Sequence, residues 1–262
     1  MKKIFSGLLL ALSATVGWSA AAEAGTFYVS TARGELGTID DTTGQYTRLY
    51  STPRFTDIAL DPNGNLWGID FYSLYSVDLN TGITRYVGEL GDSLNGLGFS
   101  TDGSLYGTGR NKFYSLDLNT GRASTLASIF AFASSGDIVF DAARDLFWAT
   151  SSSSIGDILL TIARDGTSTR IGSIGFRNVY GLAFDDRGTL LGYTDNGVQL
   201  ALDLNTGAGT ALRNISGLNG YIWGAASKPD ATAPKPVSTP EPSAIAGLIV
   251  LSALLRRKQV KV

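Results

Sequence analysis

The 262-residue chain contains no cysteine and no histidine. Thiol nucleophiles, imidazole bases, Ser-His-Asp triads and thiolate or imidazole metal sites are therefore excluded. Chemistry falls to carboxylates, hydroxyls, lysine, arginine and backbone groups. Two carboxylates stand out by position. Asp57 and Asp137, like Asn95, sit at or just before the start of short apolar segments: Ile58-Ala59-Leu60, Ile138-Val139-Phe140 and Leu97-Gly98-Phe99. If these segments are equivalent strands of a ring, Asp57 and Asp137 share one column with Gly96, Gly181 and Gly224. They would then approach one another across a narrow central channel. The neighbouring column reads Thr56, Asn95, Gly136, Tyr180 and Trp223. The cluster reads in two ways. Clustered oxygens suit a hard cation such as calcium, or a polyol, at the channel mouth. Alternatively these groups line the channel and cap the strand starts.

Other candidates are weaker. Asp40, Asp78, Asp117 and Asp203 each stand two to four residues before a Thr-Gly turn. Calcium could use such groups, but an Asp before a turn also bonds the backbone two residues on, and one per repeat spreads them around a ring. Trp67, Trp148 and Trp223, with Tyr72, Tyr75, Tyr106 and Tyr193, could stack on sugars through their apolar faces and polar edges. Trp67, Tyr106, Phe147 and Leu191, however, occupy equivalent positions, as a repeating core would. Tyr72 breaks the repeat and is the better surface candidate. The insertions Phe130–Ser135 and Ser151–Gly156 mark loops where function concentrates.

The elements that must position these groups are written as a repeat. Asp-Leu-Asn-Thr-Gly occurs at Asp78–Gly82, Asp117–Gly121 and Asp203–Gly207, with weaker copies ending at Gly44 and Gly166. Successive glycines are 38, 39, 45 and 41 residues apart. A second turn lies between them, at Asp61–Gly64, Asp102-Gly103 and Asp186–Gly188, with Ala143–Asp145 a worn copy. Asn-Gly and Asp-Gly between apolar segments signal hairpins. Each repeat thus holds four strands, for example Leu94–Ser100, Leu105–Gly109, Phe113–Leu118 and Ala123–Ser128. Four antiparallel strands every 40 or so residues predict a β-propeller blade; a solenoid is the alternative. The grammar resembles that of WD repeats, without the Trp-Asp dipeptide.

Repeat phase predicts an all-β, five-bladed propeller. Its innermost strands are Phe55–Asp61, Leu94–Ser100, Gly136–Asp141, Val179–Asp185 and Tyr221–Ala226. Because the chain opens on a second strand, the last blade is composite: Tyr221–Ala226 joins Thr26–Ser30, Leu36–Asp40 and Tyr46–Tyr50. Residues 25–227 carry 13 Lys and Arg against 20 Asp and Glu, a net charge of −7 with no basic cluster. This argues against nucleic-acid binding.

The two ends read as addresses. Lys2 and Lys3, an apolar stretch Ile4–Val16 and Ala22-Glu23-Ala24 fit a signal peptide, residues 1–24, cut after Ala24. A Pro-rich stretch, 228–239, leads to Pro240-Glu241-Pro242, an apolar run Ser243–Leu255 and Arg256-Arg257-Lys258. The run of 13 residues is short for a membrane span, which needs about 20. Residues 240–262 resemble the sorting signal of PEP-CTERM proteins, with a short transmembrane helix. That resemblance implies Sec export, processing by an exosortase, transient membrane insertion, and release to the cell surface or matrix in association with exopolysaccharide or biofilm. The expected function is a non-enzymatic binding or scaffold propeller with an extracellular polysaccharide partner and no cofactor. The alternative is a calcium-dependent propeller hydrolase or lactonase built on Asp57, Asp137 and Asn95.

Overall fold

The structure, a computed structural model, describes residues 26–227. The signal peptide with Ala22 and Ala24, the linker 228–239 and the sorting signal lie outside the described residues. The chain begins with β1 (Thr26–Thr31), β2 (Glu35–Asp40) and β3 (Tyr46–Ser51). Four complete sheets follow: β4 (Asp57–Leu60), β5 (Leu66–Ile69), β6 (Ser73–Val77) and β7 (Thr84–Glu89); β8 (Gly96–Phe99), β9 (Leu105–Gly109), β10 (Lys112–Leu116) and β11 (Ala123–Ser128); β12 (Ser134–Asp141), β13 (Leu146–Ser151), β14 (Ile158–Ala163) and β15 (Ser168–Ser173); β16 (Val179–Phe184), β17 (Leu190–Thr194), β18 (Val198–Leu202) and β19 (Gly209–Asn214). A last strand, β20 (Ile222–Ala226), pairs with β1, so the fifth sheet runs β20-β1-β2-β3. The composite closure expected from repeat phase is present, with Tyr28 opposite Ala226 and Ser30 opposite Gly224. A solenoid is excluded, because five sheets close a ring.

The turns explain the periodicity. Asp78, Asp117 and Asp203 accept backbone N–H bonds from Asn80, Asn119 and Asn205 at 2.7–2.8 Å. Asp40 takes Thr42 and Thr43 in the same way. The glycine closing each of these turns sits at φ 72–79°, where a side chain is disfavoured. These aspartates form the turns, each through its Oδ1. In the inner turns Gly64, Gly103 and Gly188 hold φ 76–85°, and in the worn copy Asp145 takes φ 55° in their place.

Each blade is covered by a neighbour on both faces, so the core consists of five apolar clusters, one at each blade interface. Consequently strict alternation fails in the third strands: Phe113 and Tyr114 are both buried. That strand also ends at Leu116, two residues before the expected Leu118. The aromatic second-strand column is interface core, as Trp67 against Phe99 and Tyr106 against Phe147 show, with ring centroids 6.2 and 5.0 Å apart. Trp148 and Tyr193 are likewise buried and Tyr75 pairs with Phe55, so of the aromatic candidates only Tyr72 and Trp223 stay free of the interface clusters.

The two faces of the ring differ. On one, the innermost strands start and the loops after β5, β7, β9, β11, β13, β15, β17 and β19 gather around the channel mouth. Both ends of the described chain, Thr26 and Ser227, leave on the opposite face, because β1 runs toward the mouth and β20 away from it.

Candidate functional site

The site follows from what a five-bladed ring can fit at its centre. In the innermost column, a Cβ on Gly224 would overlap Asp57 Oδ1 and come within 2.7 Å of Asp57 Cα. A Cβ on Gly181 would lie 2.9 Å from Ala225 Cβ. Gly224 therefore makes room for Asp57, while Gly181 and Gly96 let the innermost strands approach their neighbours. Asp57 and Asp137, both fully buried, do meet across the channel.

Each also ties its blade to another. Asp57 Oδ1 accepts from its neighbour Ile58 N–H at 2.8 Å, and Oδ2 from Leu97 N–H, in the next blade, at 2.6 Å. Asp137 Oδ2 accepts from Leu182 N–H at 2.6 Å and from Ala225 N–H at 3.3 Å, in two other blades. Asp137 Oδ1 has no protein donor. Burial first, and then the negative charge of Asp137, pushes the Asp57 carboxyl well above the ordinary range. Burial does the same to Asp137 against the pull of its backbone donors. A single proton shared between the two carboxyls would satisfy Asp137 Oδ1 and remove the repulsion.

This arrangement suits calcium poorly. That ion takes six to eight oxygens, and three of the four carboxylate oxygens here already accept backbone N–H groups. Among the described residues no three acidic, histidine or cysteine side chains gather as a metal site. Beyond the pair, toward the far face, the channel narrows to a cleft of about 20 Å³ walled by Ile58, Leu97, Ile138 and Leu182.

Above the pair, the second column opens as a cavity of about 250 Å³ lined by Thr56, Phe71, Asn95, Ser135, Gly136, Tyr180 and Trp223. No charged side chain lines it. Asn95 donates through Nδ2 to the Ser134 carbonyl at 3.0 Å, and its Oδ1 is buried without a partner. Ser135 donates to Asp157 at 2.7 Å, and Asp157, also held by Val179 N–H, has its carboxyl raised by burial.

Phe71 stands at φ 90°, a conformation costly for a side-chain-bearing residue. It is held there by Leu94 N–H on its carbonyl at 2.9 Å and by Asp70, whose Oδ1 accepts from Tyr72 and Ser73. Of the five described non-glycine residues at positive φ, four are on this face: Phe71, Arg110, Ala131 and Asn178. Strain that the surroundings over-determine clusters at functional sites. The same face exposes Tyr72 (65 %), Phe130 (99 %) and Ile155 (78 %).

Of the residues singled out from sequence, Asp57 and Asp137 are thus together but sealed, Asn95 lines the mouth, and Tyr72 stands beside it with its ring 6.3 Å from that of Phe71. Sequence reasoning missed Phe71 and the Ser135–Asp157 pair. Ser135 ends one of the two insertions singled out from sequence and Asp157 directly follows the other, which were the available signals. Nothing in the sequence marks Phe71.

The chain matches no family model and no curated protein. Among solved structures it is similar to one chain of a nidogen/laminin complex, with a TM-score of 0.57 and 16 % identity over 78 % of this chain and 82 % of that one. It is also similar to a protein of unknown function from Bacteroides thetaiotaomicron VPI-5482, with a TM-score of 0.56 and 13 % identity over 79 % and 64 % of the two chains. The protein is a five-bladed β-propeller. At these identities the likeness is one of fold alone, and a propeller fold does not name a function.

Proposed function

We propose that this propeller is an exported, non-enzymatic binding module, held at the cell surface or in the extracellular matrix, which engages an extracellular polysaccharide through its mouth face. The export and sorting signals supply the location; their PEP-CTERM pattern supplies the link to exopolysaccharide. The observation that carries the reading is the asymmetry of the ring. Both ends of the described residues leave on the far face, so a tail held at a membrane would turn the mouth outward, and the mouth carries the uncharged cavity, the strained loops and the exposed apolar side chains. The hydrolase reading is less well supported: the carboxyl pair is buried and three of its four oxygens accept backbone N–H groups.

A single shallow sugar site binds in the high micromolar to millimolar range, about 4–6 kcal/mol, and retention would come from avidity along a repeating polymer. The test is retention of the protein on a panel of immobilised polysaccharides with and without calcium, alongside assays of simple esters and lactones. Retention without turnover supports the proposal. Calcium-dependent turnover, or tight capture of a protein with no polysaccharide retained, would falsify it.

A further inference from the structure

We propose that the channel mouth takes the end of a glycan through an amine-bearing sugar residue, an inference that rests on the polysaccharide-binding role above. Thr56 gives its hydroxyl proton to the Ile69 carbonyl at 3.2 Å. Ser135 gives its own to Asp157. Asn95 gives one of its two Nδ2 protons to the Ser134 carbonyl, and the reverse amide placement would set two carbonyl oxygens face to face. Thr56 and Ser135 are left presenting acceptors, and the Asn95 Oδ1 is buried without a donor. A group with several donors and no acceptor, which is what a protonated amine is, complements them.

The surroundings favour a cation as well. Phe71, Tyr180 and Trp223 line the same cavity, and aromatic faces attract ammonium groups. Asp157 lies directly behind Ser135, and both Asp157 and Asp195 act on Tyr180 as negative charges. Arg177 offsets part of the charge on Asp157 but is bonded to the Ser154 carbonyl on the exposed insertion. The Tyr180 O–H and Trp223 N–H supply donors for sugar hydroxyls, which a bare amine would leave unused.

Size and depth define the mode. A cavity of about 250 Å³ equals roughly eight waters of liquid volume, room for one sugar ring. The buried Asp57–Asp137 pair closes the channel beneath it, so a polymer cannot thread through and only a chain end or branch enters.

Calorimetric titration of the purified protein with chitosan tetramer, chitin tetramer and cellotetraose tests this. The expected result is at least ten-fold tighter binding of the deacetylated tetramer than of either other sugar. Trp223→Ala should weaken it ten-fold or more, and Asn95→Ala should erase the preference for the amine while circular dichroism stays unchanged. Equal binding of the three tetramers, or a preference that survives Asn95→Ala, overturns the inference and leaves polysaccharide binding standing. If chitosan is not bound while a neutral or acidic polymer is retained, the inference fails alone. If no polymer is retained at all, both fail.

Discussion

The buried carboxyl pair makes an asymmetric prediction about two chemically identical substitutions. Asp137 Oδ2 accepts both of its backbone donors, and Oδ1 accepts none. In Asp137→Asn the amide oxygen can keep Leu182 and Ala225, and Nδ2 turns to Asp57 and replaces the shared proton with a permanent N–H. No backbone donor is orphaned, and only the second N–H of Nδ2 lacks an acceptor. Asp57 uses both oxygens, one for Ile58 and one for Leu97. In Asp57→Asn the NH₂ must face one of those N–H groups and leave it unsatisfied, a cost of about 1–3 kcal/mol. For roughly 200 residues, each kcal/mol moves Tm by about 2–4 °C. The pH dependence separates the two further. Both carboxyls are raised above their ordinary 3.8, so the folded state holds a proton that the unfolded chain releases. This contribution is complete below pH 3.8 and declines as pH rises through the pair's own titration, with a limiting slope of about 1.4 kcal/mol per pH unit for one proton. Asp92, lowered to about 2 mainly by Lys112, works the other way and loses its contribution only as pH falls below 3.8. In chemical denaturation from pH 4 to 8 the Asp92 contribution is therefore constant. Asp157, whose carboxyl is also raised by burial, contributes equally to wild type and variants, so the pair is read from the difference between their profiles. Asp137→Asn should match or exceed the wild type near neutrality and show a flatter profile, while Asp57→Asn should be less stable throughout. Equal losses in the two variants, or an unchanged slope in Asp137→Asn, would refute the shared proton.

Two further outcomes are expected. Gly224→Ala forces a methyl onto Asp57 and its backbone and should cost about 1–3 kcal/mol as overpacking, read as a lowered denaturation midpoint; an unchanged midpoint would mean that the closing strand is not seated at this distance. Phe71→Gly relieves a φ of 90°, so stability should hold or rise by up to about 1–3 kcal/mol while affinity for the retained polysaccharide falls at least several-fold; lost stability with intact binding would make Phe71 structural.

The fold was legible because turns carry local chemistry. Asp before a backbone N–H and Gly at positive φ are needed wherever the blade reverses, so Asp78–Gly82 and its copies mark the period directly. Phase then gave the composite blade. The meeting of Asp57 with Asp137 was readable too, since both fall in the innermost column of the repeat and Gly224 leaves the space beside Asp57. What those carboxylates do was not. Their engagement by Leu97, Leu182 and Ala225 depends on blade-to-blade height, which no single repeat encodes. The alternation in Phe113–Leu118 misled in a similar way, since both faces of that strand are covered by neighbours. Phe71 was invisible because its backbone is set by Asp70 and Leu94 and not by its own type.

The composite blade also determines how the ring carries load. A pull at Ser227 against a grip on the mouth face runs along β20, parallel to the strand. The rungs joining it to β1, from Tyr28–Ala226 to Thr31–Ile222, lie across that line. They are stressed together, in shear, instead of opening one after another like a zipper. The same pull directed sideways would peel them singly. A ring stitched shut by its own last strand is therefore strongest in the direction in which a tethered tail and a bound polymer would stretch it.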